Sequence, residues 1–262
     1  MENVKKDNRD IGDIGDIKNH FPSELKNYGN TCFLNSSLQM IIHFLHYFSF
    51  NKKSSNLFYY YKNDITPIIH FYSKLNPNYI FGSQHDSQEC LQYFLDWLDI
   101  PNKIKLLRNI ECKCEKNIHS QNEYFLTFDL FPLENVNWDN ICSYFIHKSN
   151  IGKCKKCDSD KYTWIEVIDI PSFLFIHLKR FTPEQKKIDC YIDCPDYWIC
   201  NNKKYELISI IIHEGNLHSG HYYCCIKLYD NNWILCNDNN IITIYDIGPF
   251  IEKSYLLLYK LL

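Results

Sequence analysis

The pattern of apolar residues changes at Pro101, and that change limits the fold more than any other feature of the 262 residues. Before it, apolar positions recur at helical spacing. Thr31, Cys32, Phe33, Leu34, Leu38, Ile41, Ile42 and Leu45 suit a largely buried helix, with Asn30 or Thr31 as its N-cap. Cys90, Leu91, Phe94, Leu95 and Leu98 place one face of a second helix over 87–98, and a third is expected over 67–75. After Pro101 the runs are short, aromatic and β-branched. They predict strands at 123–133, 162–170, 173–181, 206–213, 221–229, 233–236 and 254–259. Helices first and strands afterwards imply an α+β arrangement, not alternating βα units. The chain contains no alanine, so its helices must form through packed faces more than through intrinsic propensity. No domain-scale repeat or internal linker interrupts it, and the expected organisation is a flexible lead over 1–21 followed by one unit over 22–262.

The charge balance, 28 basic against 31 acidic residues, gives a formal net charge of -3. Such a chain has no general polycation field, which argues against a nucleic-acid binder. The apolar stretch over 40–50 contains His43 and His46 and is too short to cross a bilayer, and the first twenty residues lack the apolar core of a signal peptide. A reducing compartment, cytoplasmic or nuclear, is therefore expected, with no membrane association. The thirteen cysteines are odd in number, so they cannot all pair, and in such a compartment they point first to catalysis or metal binding.

Cys32 falls in the first turn of its helix, where unpaired N–H groups and the helix dipole favour a thiolate. Asn27 and Gly29, just upstream, bring an amide donor and a flexible turn to the same end, the composition of an oxyanion hole. A nucleophilic cysteine needs a base, and 213–223 supplies His213, His218 and His221 around Gly215 and Gly220. The glycines let a substrate backbone approach closely. Trp233-Ile-Leu-Cys-Asn237-Asp238 then offers Asn and Asp at a strand end, either of which could orient an imidazole. Cysteine, histidine, then Asn/Asp is the order of papain-like cysteine proteases. A separate element, Cys154-Lys-Lys-Cys157, is one half of a zinc knuckle.

Taken together, 27–39 resembles the cysteine box of the ubiquitin-specific proteases, 213–223 their histidine box, and 233–238 the segment bearing their third catalytic residue. Gln84-His-Asp-Ser-Gln-Glu89, the Leu-Lys-Arg-Phe ending at Phe181, and Ser254-Tyr-Leu-Leu-Leu-Tyr259 agree in order and kind. The resemblance implies a papain-like core with a helical thumb, a β-rich palm and zinc-ribbon-like fingers over about 108–170. It implies Cys32 as nucleophile, His221 as base and then acid, Asn237 as the residue orienting His221, Asp238 as an assisting neighbour, and Asn27 as oxyanion donor. Asp86 and Glu89 would hold the arginine-bearing tail of ubiquitin, with Gly220 and Tyr222 lining its path, while His213 shapes the pocket. Two departures stand out. The family pairs two CxxC elements, whereas here Cys112 and Cys114 are one residue closer, with His119 or Cys142 as substitutes and a metal-free ribbon as the alternative. Cys90 also replaces the more usual aromatic. The expected cofactor is one structural Zn²⁺ at Cys112, Cys114, Cys154 and Cys157. The expected partners are ubiquitin and ubiquitinated proteins, acted on by a monomer. An inactive ubiquitin-binding scaffold of the same fold is the alternative, and a zinc-ribbon nucleic-acid binder a more distant one.

Overall fold

The computed structural model describes residues 21–48, 51–114, 121–130, 138, 148–182, 184–190, 192–216 and 219–262. The expected flexible lead, apart from Phe21, as well as His119, Cys142 and His218, lies outside them. Five helices are described: α1 (Cys32–Leu45), α2 (Lys52–Asn63), α3 (Thr66–Leu75), α4 (Ser87–Leu98) and the short α5 (Gly248–Ile251). The strands are β1 (Ile104–Glu111), β2 (Gln121–Phe125), β3 (Thr127–Leu130), β4 (Ser149–Lys153), β5 (Asp160–Asp169), β6 (Phe173–Leu178), β7 (Tyr197–Cys200), β8 (Lys203–Gly215), β9 (Gly220–Lys227), β10 (Trp233–Asn237), β11 (Asn240–Ile244) and β12 (Ser254–Leu261). The α+β expectation is met: the first four helices precede all the strands.

Helix α1 is the axis of the molecule, and all of its residues are buried. One side packs on β8, β9 and β10, the other on α4 and α2. Without alanine, the close approach of α1 to α4 falls to serines, whose hydroxyls must then be satisfied. Ser37 Oγ donates to the Phe33 carbonyl (2.7 Å) and meets Ser87 Oγ at 2.7 Å. Helix α2 was not anticipated. Its apolar side is narrow, with Leu57, Phe58 and Tyr61 buried among polar residues, but it begins with a local signal. Asn51 accepts from the N–H groups of Lys53 and Ser54, while the Ser54 hydroxyl accepts from the Asn51 N–H, a reciprocal cap.

The palm sheet runs β11-β10-β9-β8-β12-β6-β3, with β7 pairing β8 off this path. Its pairs are antiparallel except β3 with β6. Both faces are covered, which explains the nearly continuous apolar runs. Leu256 and Leu258 of β12 face the α1 core, while Leu257 and Tyr259 face a second core with Leu174, Ile176, Ile210 and Trp198. A smaller antiparallel sheet, β2-β1-β5-β4, projects as the fingers. β1, β4, β7 and β11 were not read from the sequence. β4, β7 and β11 are short strands whose pairing partners carry the stronger signals, whereas β1 runs for eight residues with only three of them fully buried and no regular alternation. Among the described residues no helix is long and apolar enough to cross a membrane.

Candidate active site

Gly29 (φ +80°) and Asn30 (φ +59°) form a left-handed turn that delivers the chain into α1 at Cys32, whose residue exposure is 3%. Thr31 occupies the N-cap position but makes no capping bond through its side chain. Its hydroxyl instead accepts from the Tyr28 N–H, while Asn27 Oδ1 accepts from the Thr31 N–H (3.0 Å). A capping side chain would occupy N–H groups that an anion needs, so this end of the helix is suited to receive negative charge.

His221 is the second residue of β9 and Asn237 ends β10, strands paired side by side. His221 Nε2 lies 2.7 Å from Asn237 Oδ1, which as an amide oxygen accepts the proton and fixes the ring. This leaves Nδ1 for Cys32. The Cys32 hydrogen bond is the main influence on His221 and raises its pKa to about 9; burial opposes it, while Asn237 and the charges of Cys32 and Asp238 add to it. Such surroundings favour the imidazolium form of His221.

Asp238 (φ +52°) follows Asn237 but makes no hydrogen bond to His221. Its carboxylate accepts from Asn27 Nδ2 (2.9 Å) and Asn35 Nδ2 (2.7 Å), and its carbonyl accepts from the Leu25 N–H (2.9 Å). The turn after β10 thus grips both the Asn27 amide and helix α1. Asn35 had been assigned no role, although a buried amide on an apolar helix is the signal that could have found it. Gln84 is a second such residue, reaching across to the strand that carries His221. Its Oε1 accepts from the Gly220 N–H (3.2 Å).

The residues expected on the substrate path are dispersed along the cleft. Asp86 is the N-cap of α4: its Oδ1 accepts from the N–H groups of Gln88 (2.6 Å) and Glu89 (3.3 Å), and its Oδ2 from the Tyr255 hydroxyl (2.6 Å). The local helix-start role is therefore present, and any guanidinium would share these oxygens. Glu89 is half-buried, with Asn76 Nδ2 3.4 Å from its Oε2. Gly220 must be glycine, because a Cβ there would lie 2.1 Å from His213 Nε2. His213 is buried between Phe181, Tyr222 and Tyr255, and burial lowers its pKa to about 4. Tyr222 is also buried, its ring against His213 and Tyr255.

The four expected metal ligands come together. The sulfurs of Cys112, Cys114, Cys154 and Cys157 all lie within 4.8 Å of one another, with Cys112–Cys114 at 3.3 Å and Cys114–Cys154 at 3.7 Å. Zn–S bonds of 2.3 Å in a tetrahedron put sulfurs about 3.8 Å apart, so the set fits one Zn²⁺ despite the shortened half-site. Hydrogen bonds from Ser159 draw the Cys157 thiol down to about 6, and the N–H groups of Lys156 and Cys157 lower Cys154, both toward the ligating thiolate. Cys190, Cys194 and Cys200 form no second cluster among the described residues. Cys90, Cys224, Cys225 and Cys236 are buried in the core.

Comparison with known proteins bears on the family and the fold. The family model described as ubiquitin carboxyl-terminal hydrolase matches residues 23–259. Ubiquitin carboxyl-terminal hydrolase 8 of Saccharomyces cerevisiae is 25% identical over 331 residues, covering 91% of this chain and 70% of that protein. A probable ubiquitin carboxyl-terminal hydrolase 8 of Schizosaccharomyces pombe is 22% identical over 291 residues, covering 90% of this chain and 64% of its own length. Among solved structures, the SAGA DUB module of Ubp8, Sgf11, Sus1 and Sgf73 bound to monoubiquitin has a similar fold. It gives a TM-score of 0.75 at 23% identity, covering 92% of this chain and 69% of that chain. The fold is shared, with its helical thumb, β-rich palm and fingers bearing the four cysteines. That relative is an assembly, so the expectation of a monomer gains no support.

Proposed function

This chain belongs to the ubiquitin carboxyl-terminal hydrolase family, and we propose that it is a deubiquitinating thiol protease with Cys32 as nucleophile. The observation that carries the reading is His221 held by Asn237 at 2.7 Å and biased toward imidazolium by Cys32. In this scheme the Cys32 thiolate attacks the carbonyl carbon of ubiquitin's C-terminal glycine. The new oxyanion accepts from first-turn N–H groups of α1 and from Asn27 Nδ2, each donor worth about 3–4 kcal/mol by the effect of single deletions in other enzymes. His221 gives its proton to the departing lysine amine, leaving a thioester. It then takes a proton from the water that hydrolyses that thioester.

The remaining residues serve binding and support. Asp86 and Glu89 face the arginine-bearing tail, Gly220 and Tyr222 line its path, and Asp238 holds Asn27 in place. Ubiquitin's body would lie against the surface between α4 and the fingers, where Gln92, Asp96, Arg108, Tyr124 and Phe128 line a groove that can receive a few of its side chains. A Zn²⁺ held by Cys112, Cys114, Cys154 and Cys157 would supply a structural crosslink between the end of β1 and the β4–β5 turn. Residues 22–262 would act as one catalytic unit, in a reducing compartment that keeps its thiols free. Ubiquitin carrying a C-terminal electrophile tests the reading: a covalent adduct at Cys32, absent in Cys32→Ala with ubiquitin binding retained, is expected. Binding without any adduct in the unaltered protein would instead identify an inactive scaffold.

A further inference from the structure

Gln84 lies two residues before the N-cap of α4 and touches both sides of the catalytic cleft. Its Nε2 donates to Asn30 Oδ1 (3.1 Å) and its Oε1 accepts from the Gly220 N–H (3.2 Å). Asn30 is two residues before Cys32, in a left-handed conformation that asparagine adopts more readily than other residues with a side chain. Its own Nδ2 donates to the Gly82 carbonyl (2.7 Å), so the Asn30 amide is claimed at both ends. On the other wall, Gly220 immediately precedes His221 and has the His213 imidazole packed against its Cα. The two bonds of one side chain therefore link the turn that delivers the nucleophile to the residue that carries in the base.

We propose that Gln84 is a positioning residue, an amide strut across the cleft that sets the approach of His221 to Cys32. The inference rests on the reading of Cys32 and His221 as nucleophile and base. Only a group that donates at one end and accepts at the other satisfies both walls. A carboxylate of the same shape would set an oxygen against Asn30 Oδ1, and Asn30 could not turn its amide without abandoning the Gly82 carbonyl. A thioether of similar length makes neither bond. Without the strut, Asn30 and Gly220 each lose a partner, His221 approaches Cys32 less closely, and less of the thiol is held as thiolate.

The test uses Gln84→Glu and Gln84→Met in the full chain. Carbamidomethylation of Cys32 is followed from about pH 5 to 10 by peptide-resolved mass spectrometry, because exposed thiols such as Cys114 also react. Both variants should move the Cys32 reactivity midpoint up by about one pH unit and lower kcat on a ubiquitin–fluorophore substrate roughly ten- to hundredfold, with KM within about twofold. A raised KM with an unmoved midpoint would make Gln84 a substrate contact and overturn the proposal. A loss of activity that tracks a lowered melting temperature, again with an unmoved midpoint, would reduce it to a stability element. If Cys32 in the unaltered protein reacts as an ordinary thiol that His221→Ala does not shift, the underlying catalytic assignment fails first, whatever Gln84 does.

Discussion

Replacing Asn237 with alanine removes the 2.7 Å partner of His221 Nε2 and leaves the Cys32 contact in place. A hydrogen bond to a charged group contributes roughly 1.5–3 kcal/mol, and one pKa unit is about 1.4 kcal/mol. Because His221 is only partly buried, the lower end applies, which predicts a fall of about one unit from the value near 9. The sign follows from the direction of the shift. Asn237 raises the pKa by favouring the protonated ring, so its loss releases the proton at lower pH. In kcat/KM against pH the alkaline limb should move down by about one unit. The ring also loses its fixed orientation, so the plateau should fall roughly ten- to hundredfold. The assay is hydrolysis of a ubiquitin–fluorophore across about pH 5 to 10, with circular dichroism to confirm folding. An alkaline limb that stays in place in a folded, slower variant would refute the view that Asn237 tunes the imidazolium.

Three further outcomes are expected. Cys157→Ser should abolish a zinc content of about one ion per chain, measured by elemental analysis, and leave the fingers more open to proteolysis; unchanged zinc would reject the four-sulfur site. Gly220→Ala drives a methyl into the His213 ring at 2.1 Å and the Glu214 carbonyl at 2.7 Å, so it should cost several kcal/mol or displace His221, read as lost activity and a lowered urea midpoint. Acid should destabilise the fold through His43, whose pKa burial lowers to about 3, and His213, lowered to about 4. Their contribution is intact above the unfolded value of 6.5 and is lost as pH falls below it, at about 1.4 kcal/mol per pH unit for each until the folded pKa is reached. Urea midpoints measured over this range should decline less steeply in His43→Gln than in the unaltered protein; equal slopes would remove His43 from the account.

Cys32, His221 and the Asn237–Asp238 pair could be picked out as candidates by residue type and chain order, and the family resemblance set Cys112 and Cys114 opposite Cys154 and Cys157, whose sulfurs the fold gathers. The strongest elements were also legible, since α1, α4, β6, β8, β9 and β12 bury whole faces and carry their periodicity openly. The residues that hold the site were not. Asp238 grips Asn27 and Asn35 across 211 and 203 residues, and Gln84 meets Gly220 across 136. Asp86 shows the same division: its helix-cap bonds are local and could be read from the sequence, while its Tyr255 partner, 169 residues away, could not. By itself the sequence determined which groups could attack, accept a proton or bind a metal, because those are properties of side chains. The tertiary structure alone decided which of them meet, because hydrogen bonds act over about 3 Å and only the packing of α1 between α4 and the palm sheet brings such distant residues that close.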